Sequence, residues 1–203
     1  MCADVSDANV RQAPAQESGA YVNDARYARL LALWQQATGL PAPGTARAEG
    51  AVEELLVREA RLLDEQLHDA WLEQFTPQCM VWVPAQVMPV DPRLVTGIYV
   101  DDRRRMVDRV AMIRTGHLHA QTPASRTRRM LSNVEQWVDR EADSLVARAN
   151  LVIWEHRKGQ TRAWPGYQVY EIERALDGPL RITNKIICLL ERDAPQGNYA
   201  FIL

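Results

Sequence analysis

Apolar positions along the chain change their period, and the changes separate a helical front from a strand-rich back. Between residues 21 and 38, Tyr27, Leu30, Leu31 and Trp34 recur at three, one and three positions, which places them on one helical face. Gly39 supplies a stop, and Leu40, Pro41, Ala42, Pro43 and Gly44 cannot continue the helix, because proline lacks the amide donor and restricts the residue before it. A long helix is expected over residues 47–67, with Val52, Leu56, Ala60, Leu63 and Leu67 on one stripe. A shorter one follows, where His68, Trp71, Leu72 and Phe75 keep helical spacing until Pro77 ends it. Cys79, Met80, Val81, Trp82 and Val83 are then apolar at every position, so this strand needs cover on both faces, from its own helices and from something else.

Pro84 and Pro89 mark irregular chain. Asp101 and Asp102 open a third helix, whose inner face is Met106, Val110 and Ile113 and whose end is Gly116. Strand-like segments follow near residues 126–138, 144–156, 164–175 and 180–192, the last two joined by a hairpin turn at Asp177 and Gly178. Helices first and antiparallel strands later predict an α+β fold, with the helices gathered on one face of a curved sheet. Residues 1–46 read as an N-terminal extension made of an aperiodic arm, one amphipathic helix and a Pro-rich linker; residues 47–203 read as the main domain.

Composition narrows the function classes. At 203 residues, with 47% hydrophobic and 25% charged positions, the chain matches a soluble globular protein and excludes disorder and fibrous repeats. A formal net charge of −2 offers no field for nucleic acid or anionic lipid. The longest aliphatic stretch, residues 186–190, falls far short of the roughly 20 apolar residues that span a bilayer. The start of the chain lacks the basic and apolar parts of a secretion signal, so the cytoplasm is the expected compartment. Cys2, Cys79 and Cys188 form an odd set, and the latter two lie in apolar runs where a thiol acts as a small core residue.

Few residues suggest chemistry. His117 and His119 sit two apart, as a metal site could use, but two ligands alone are weak evidence, further ligands such as Asp101, Asp102 or His68 would have to be supplied by the fold, and no metal is predicted. The glycines form no phosphate cradle, and neither Ser125 nor Ser132 lies in a nucleophile elbow. If a cone-shaped sheet encloses a cavity, Asp64, Asp69, Asp102, His68, His117, Tyr99 and Tyr167 are the candidates for proton transfer, although Asp69 is better explained as a first-turn helix acid.

The run from Ser125 to Arg129 has no interleaved aromatics, which argues against nucleic acid. Strict alternation would put Arg128, Met130, Ser132, Val134 and Gln136 on one face, and Arg129, Leu131, Asn133, Glu135 and Trp137 on the other. Each face mixes apolar and hydrogen-bonding groups, the composition of a surface that meets another protein. The interface candidates are Arg126, Arg128, Arg129 and Asn133 with Trp137, Trp164 and Tyr167, and Arg129→Ala is expected to weaken assembly while leaving the isolated fold largely intact.

Particular segments carry a family resemblance. Leu62, Leu63 and Asp64, then residues 69–75, Val81 to Pro84, Asp101 to Arg103 and residues 123–134 together resemble the small (beta) subunit of aromatic-ring-hydroxylating dioxygenases. The most specific part is the Ser-Arg-x-x-Arg-x-x-Ser-Asn-Val stretch at residues 125–134, and the similarity covers about residues 47–203. The resemblance implies a cystatin-like (NTF2-like) cone, a curved sheet wrapped around a long helix. It also implies a trimer of small subunits beneath a trimer of large (alpha) subunits. The large subunits would carry the Rieske [2Fe–2S] cluster and the mononuclear Fe(II), while this chain holds no cofactor. Its cysteines lack the Cys-x-His and Cys-x-x-His pairs a Rieske centre needs. The implied role is structural support of an oxidoreductase acting on aromatic compounds. The same fold also hosts isomerases and dehydratases, so a free-standing enzyme or a small-ligand binding protein with a cone pocket is the alternative.

Overall fold

The computed structural model describes residues 22–115, 123–173, 178–194, 199 and 201–203. The arm at residues 1–20, His117, His119, the Gly116 stop and Asp177 of the expected hairpin turn lie outside them. The described elements run α1 (Asp24–Gln36), β1 (Ala46–Arg47), α2 (Ala51–Asp64), α3 (His68–Leu72), β2 (Phe75–Val83), β3 (Tyr99–Asp102), α4 (Arg103–Arg114), β4 (Arg126–Asp139), β5 (Ser144–Arg157), β6 (Gln160–Glu173) and β7 (Arg181–Leu189). The strands form one seven-stranded sheet in the order β1-β4-β5-β6-β7-β2-β3. It is a mixed sheet, because β2 runs parallel to β7 while every other pairing is antiparallel.

Local chemistry explains the element ends. Asn23 caps α1 by accepting the Arg26 amide at 3.1 Å, and Asp102 caps α4 by accepting the Arg105 amide at 2.9 Å. The long helix is shorter than the expected range 47–67 at both ends. Gly50 takes φ 59° just before it, and Ala46 and Arg47 pair with Gln136 and Glu135 as a short edge strand instead. Periodicity also missed β3, whose mixed residues Tyr99 to Asp102 acquire strand geometry by pairing with Met80 to Val83.

Two apolar layers sandwich the sheet. Inside its curve, α2 and α4 bury Leu55, Leu56, Leu63, Met106 and Val110 against Val81, Val83, Ala149, Ile153, Ile172 and Ile187. On the outer side, Leu30, Leu33 and Trp34 of α1 pack on Met80, Trp82, Val146, Val169, Ile186 and Cys188. The extension therefore supplies the second cover that the all-apolar strand β2 required. Its fastening is polar: Arg29 donates to Asp139 at 2.8 Å and to Glu171 at 2.6 Å, and Asn184 and Ser144 take up further lone pairs of Glu171. The Arg29 pairing and the Gln36 amide hold Asp139 below the usual carboxylate value despite the opposing effect of burial.

Strand β4 departs from strict alternation. Its pairing with β5 slips between Ser132 and Glu135, and Asn133 takes φ 49°, the signature of a bulge. Arg128, Met130 and Ser132 face outward before the bulge, but Glu135, Trp137 and Asp139 face outward after it, as their partners across β5 show. The alternation expected from sequence thus holds on either side of Asn133 and inverts across it.

Candidate functional site

The centre of the inner layer holds a closed polar cluster. Glu59 projects from α2 into it, and Lys185 enters from β7 with its ammonium 2.7 Å from Glu59 Oε1. The same oxygen accepts Trp71 Nε1–H at 2.9 Å, and Oε2 accepts the Tyr170 hydroxyl at 2.9 Å. Lys185 also lies 5.4 Å from the centroid of the Tyr170 ring. Burial alone would raise the Glu59 pKa, yet the ammonium and the three donors together hold it below the ordinary value. Burial is also the main reason Lys185 falls below the usual lysine value. Burial and the charge of Glu59 push Tyr170 well up, so its proton stays in the hydrogen bond. Both carboxylate oxygens are engaged within the chain, an arrangement that anchors α2 to the sheet.

The proton-transfer candidates do not gather around this cluster. Asp64 pairs with Arg129, Asp102 is the α4 cap, and Asp69 stands exposed in an ion pair with Arg114. Tyr99 is half-buried beneath Arg109, whose guanidinium carbon is 4.5 Å from its ring centroid. Tyr167 lies on the opposite side of the sheet, where its hydroxyl accepts Trp34 Nε1–H at 2.9 Å. Burial, with help from Arg129 and Arg114, lowers the His68 pKa. Glu59 and Lys185 were the residues that sequence reasoning passed over. Their signal was present as a lone acid in the apolar stripe of α2 and a lone lysine in the apolar run of β7.

Among the described residues no three or more His, Cys, Asp or Glu side chains cluster as a metal site would require. Burial pushes the Cys79 and Cys188 thiols up to about 11, so both stay protonated as core groups. No helix among the described residues is long and apolar enough to cross a membrane.

The interface candidates divide by position. Arg126, Arg128 and Asn133 are exposed, and Tyr167 is half-buried. Arg129 is spent inside the chain: its amide and guanidinium bind the two oxygens of Asp64 at 2.8 and 2.6 Å, and its other arm donates to the Ile202 carbonyl. Trp137 is buried beside α1, and Trp164 donates to Glu155 at 3.1 Å while packing on Tyr199 with ring centroids 4.9 Å apart. The exposed arginines border a groove of about 430 Å³ with Trp154, His156 and Glu65. Beside it the outer face of the sheet carries Met130 at 62% and Trp154 at 45% exposure, an apolar patch that α1 does not cover.

Comparison with known proteins fits this geometry. Residues 58–195 match the model of the ring hydroxylating beta subunit family. The chain is 36% identical to the small oxygenase component of the p-cumate 2,3-dioxygenase system of Pseudomonas putida, over 75% of this chain and 85% of that one. The solved beta subunit of benzoate 1,2-dioxygenase from Burkholderia mallei superposes with a TM-score of 0.61 at 25% identity, covering 77% of this chain and 99% of that one. An NTF2-like protein with a cystatin-like fold from Novosphingobium aromaticivorans superposes with a TM-score of 0.51 at 16% identity, over 85% and 93% of the two chains, a likeness of fold.

Proposed function

The chain belongs to the ring-hydroxylating dioxygenase beta-subunit family, and on that premise we propose that it is the non-catalytic small subunit of an oxygenase that dihydroxylates or hydroxylates an aromatic carboxylate. The observation that carries this reading is the match over residues 58–195 together with a cone whose central carboxylate, Glu59, already has both oxygens engaged. The substrate class follows the relatives, named for p-cumate and benzoate, both ring-bound carboxylates. In this reading a large alpha subunit holds the Rieske [2Fe–2S] cluster and the mononuclear Fe(II) and performs the oxidation in the cytoplasm. This chain self-associates as a trimer and supports a trimer of the large subunits. The exposed groups beside the β4 groove, Arg126 and Arg128 with Met130 and Trp154, are the surface we assign to subunit contact.

Such a subunit contributes through shape and charge. A rigid sheet, covered on both faces over much of its area, presents fixed donors and apolar anchors on the uncovered part of its outer face, so little order has to be created on assembly. The alternative, an isomerase, dehydratase or ligand carrier working from the cone, is disfavoured by the scattering of Asp64, Asp69, Asp102, Tyr99 and Tyr167.

The experiment is purification of the native complex with quantification of each chain and of iron. Equal amounts of this chain and a larger iron-bearing protein are expected, with ring oxidation lost when the larger protein is removed. A homo-oligomer without an iron-bearing partner overturns the assignment.

A further inference from the structure

A second polar site lies on the outer side of the sheet, away from the cone. After α1 the chain turns through Gly39, at φ 91°, and Pro41 before returning to pair β1 with β4. This strap arches over Trp137, Arg148 and Tyr167 and bounds a cavity of about 260 Å³. Trp137 is only 6% exposed, yet its Nε1–H has no acceptor. Arg148 is half-buried with its guanidinium carbon 4.7 Å from the Tyr167 ring centroid, and its Nε–H is shut off from solvent without an acceptor. Gln36 spends its amide nitrogen on Asp139 and leaves Oε1 without a donor. Among the described residues no carboxylate lies within ion-pair distance of Arg148, although Glu135 is its register partner across β4 and β5.

An unpartnered buried donor is costly, and a partly desolvated cation without an anion costs more. Here the two residues that carry such donors line one cavity. We propose that this cavity binds a small monocarboxylate, with one oxygen on Trp137 Nε1–H and the other on the Arg148 guanidinium. The carbon body of the acid would lie under the strap near Pro41 and Ala42. A cavity just below the range typical of drug-sized ligands suits an acid of one ring or less. Glu135 lines the same cavity and disfavours a second negative charge on the ligand, which selects monocarboxylates over dicarboxylates and dianionic phosphate. The ligand class is read from these groups alone and does not depend on which partner the subunit has or what that partner oxidises.

The test follows the indole N–H resonances of the full-length chain by 15N–1H NMR during titration with benzoate, with inorganic phosphate as the control. A saturable shift of the Trp137 indole signal, assigned by its loss in Trp137→Phe, is expected with benzoate and not with phosphate. Arg148→Leu should weaken the benzoate response by about tenfold or more, the scale of one charge-assisted hydrogen bond, while Arg148→Lys retains part of it. If Arg148→Leu does not fold, Arg148→Lys carries the test, and a benzoate response in it as strong as in the parent overturns the proposal. The proposal is overturned by the absence of a saturable shift up to the millimolar range. An equal response to phosphate, or a response unchanged in Arg148→Leu, also overturns it.

Discussion

Trp34 stands edge-on to Trp82, with ring centroids 5.0 Å apart and planes at 89°, so that a helix preceding the family-matched region closes the outer face of the interior strand β2. Edge-to-face packing of this kind adds to the area that both rings bury. Trp34 also donates to Tyr167, so one side chain joins α1 to β2 and to β6.

Trp34→Ala should therefore lower stability by about 3–5 kcal/mol, the usual cost of removing a buried large aromatic. Thermal unfolding would register this as a reduced midpoint, and a variant with exposed Trp82 should bind a hydrophobic dye in its folded state. An unchanged midpoint would mean that α1 packs on the sheet without stabilising it.

Arg129→Ala should destabilise the folded chain itself, by about 3 kcal/mol or more, because it strands Asp64 without its cation in a site where both side chains are under one-tenth exposed. This differs from the surface role that the arginine run suggests. Arg129→Lys should rescue little, since a single ammonium cannot reach both Asp64 and the Ile202 carbonyl as the guanidinium fork does. Urea midpoints of the three proteins decide the matter, and a wild-type midpoint for the alanine variant contradicts the clamp.

Acid should weaken the fold through Glu59. Its folded-state pKa is depressed, so its contribution is complete above the unfolded value of about 4.3 and is lost as pH falls through the folded one. Asp139, depressed by Gln36 and Arg29, acts with the same sign. Glu59→Gln should cost about 3–5 kcal/mol at neutral pH by leaving Lys185 uncompensated, and should flatten the decline between neutral and acidic pH. Denaturant titrations at several pH values measure both effects; parallel curves for the two proteins would remove Glu59 from the account.

Gly166→Ala tests the closeness of β6 and β7. A Cβ at this position would fall onto the Cys188 carbonyl oxygen and within 2.9 Å of Leu189 Cα, both backbone atoms that cannot swing aside. A loss of about 1–3 kcal/mol is expected in thermal unfolding, as for other overpacked cores, and a neutral substitution would mean that β7 shifts at no cost.

Much of the fold was written in local patterns. The helical stripes of α1 and α2, the apolar run of β2 and the long strands β4 to β7 depend on neighbours in sequence, so period and turn residues predicted them before any contact was known. The short strands β1 and β3 were not legible, because their few mixed residues become strands only by pairing with β4 and β2. The bulge at Asn133 was equally hidden. Nothing in its neighbours announces a left-handed backbone, yet that one residue inverts the facing of everything after it and sends Trp137 to the outer layer.

The same division holds for the chemistry. Residue order alone carried the family resemblance, which requires only the types and spacing of residues such as those from Ser125 to Val134. Which polar groups meet was decided by the tertiary structure. Glu59 and Lys185 are 126 positions apart, Arg29 and Glu171 are 142 apart, and Arg129 and Asp64 are 65 apart, distances at which no local periodicity links the partners. Burial makes such groups find one another, because an unpaired charge inside costs far more than one in water. Only the curved sheet and its two layers determine which charges are inside.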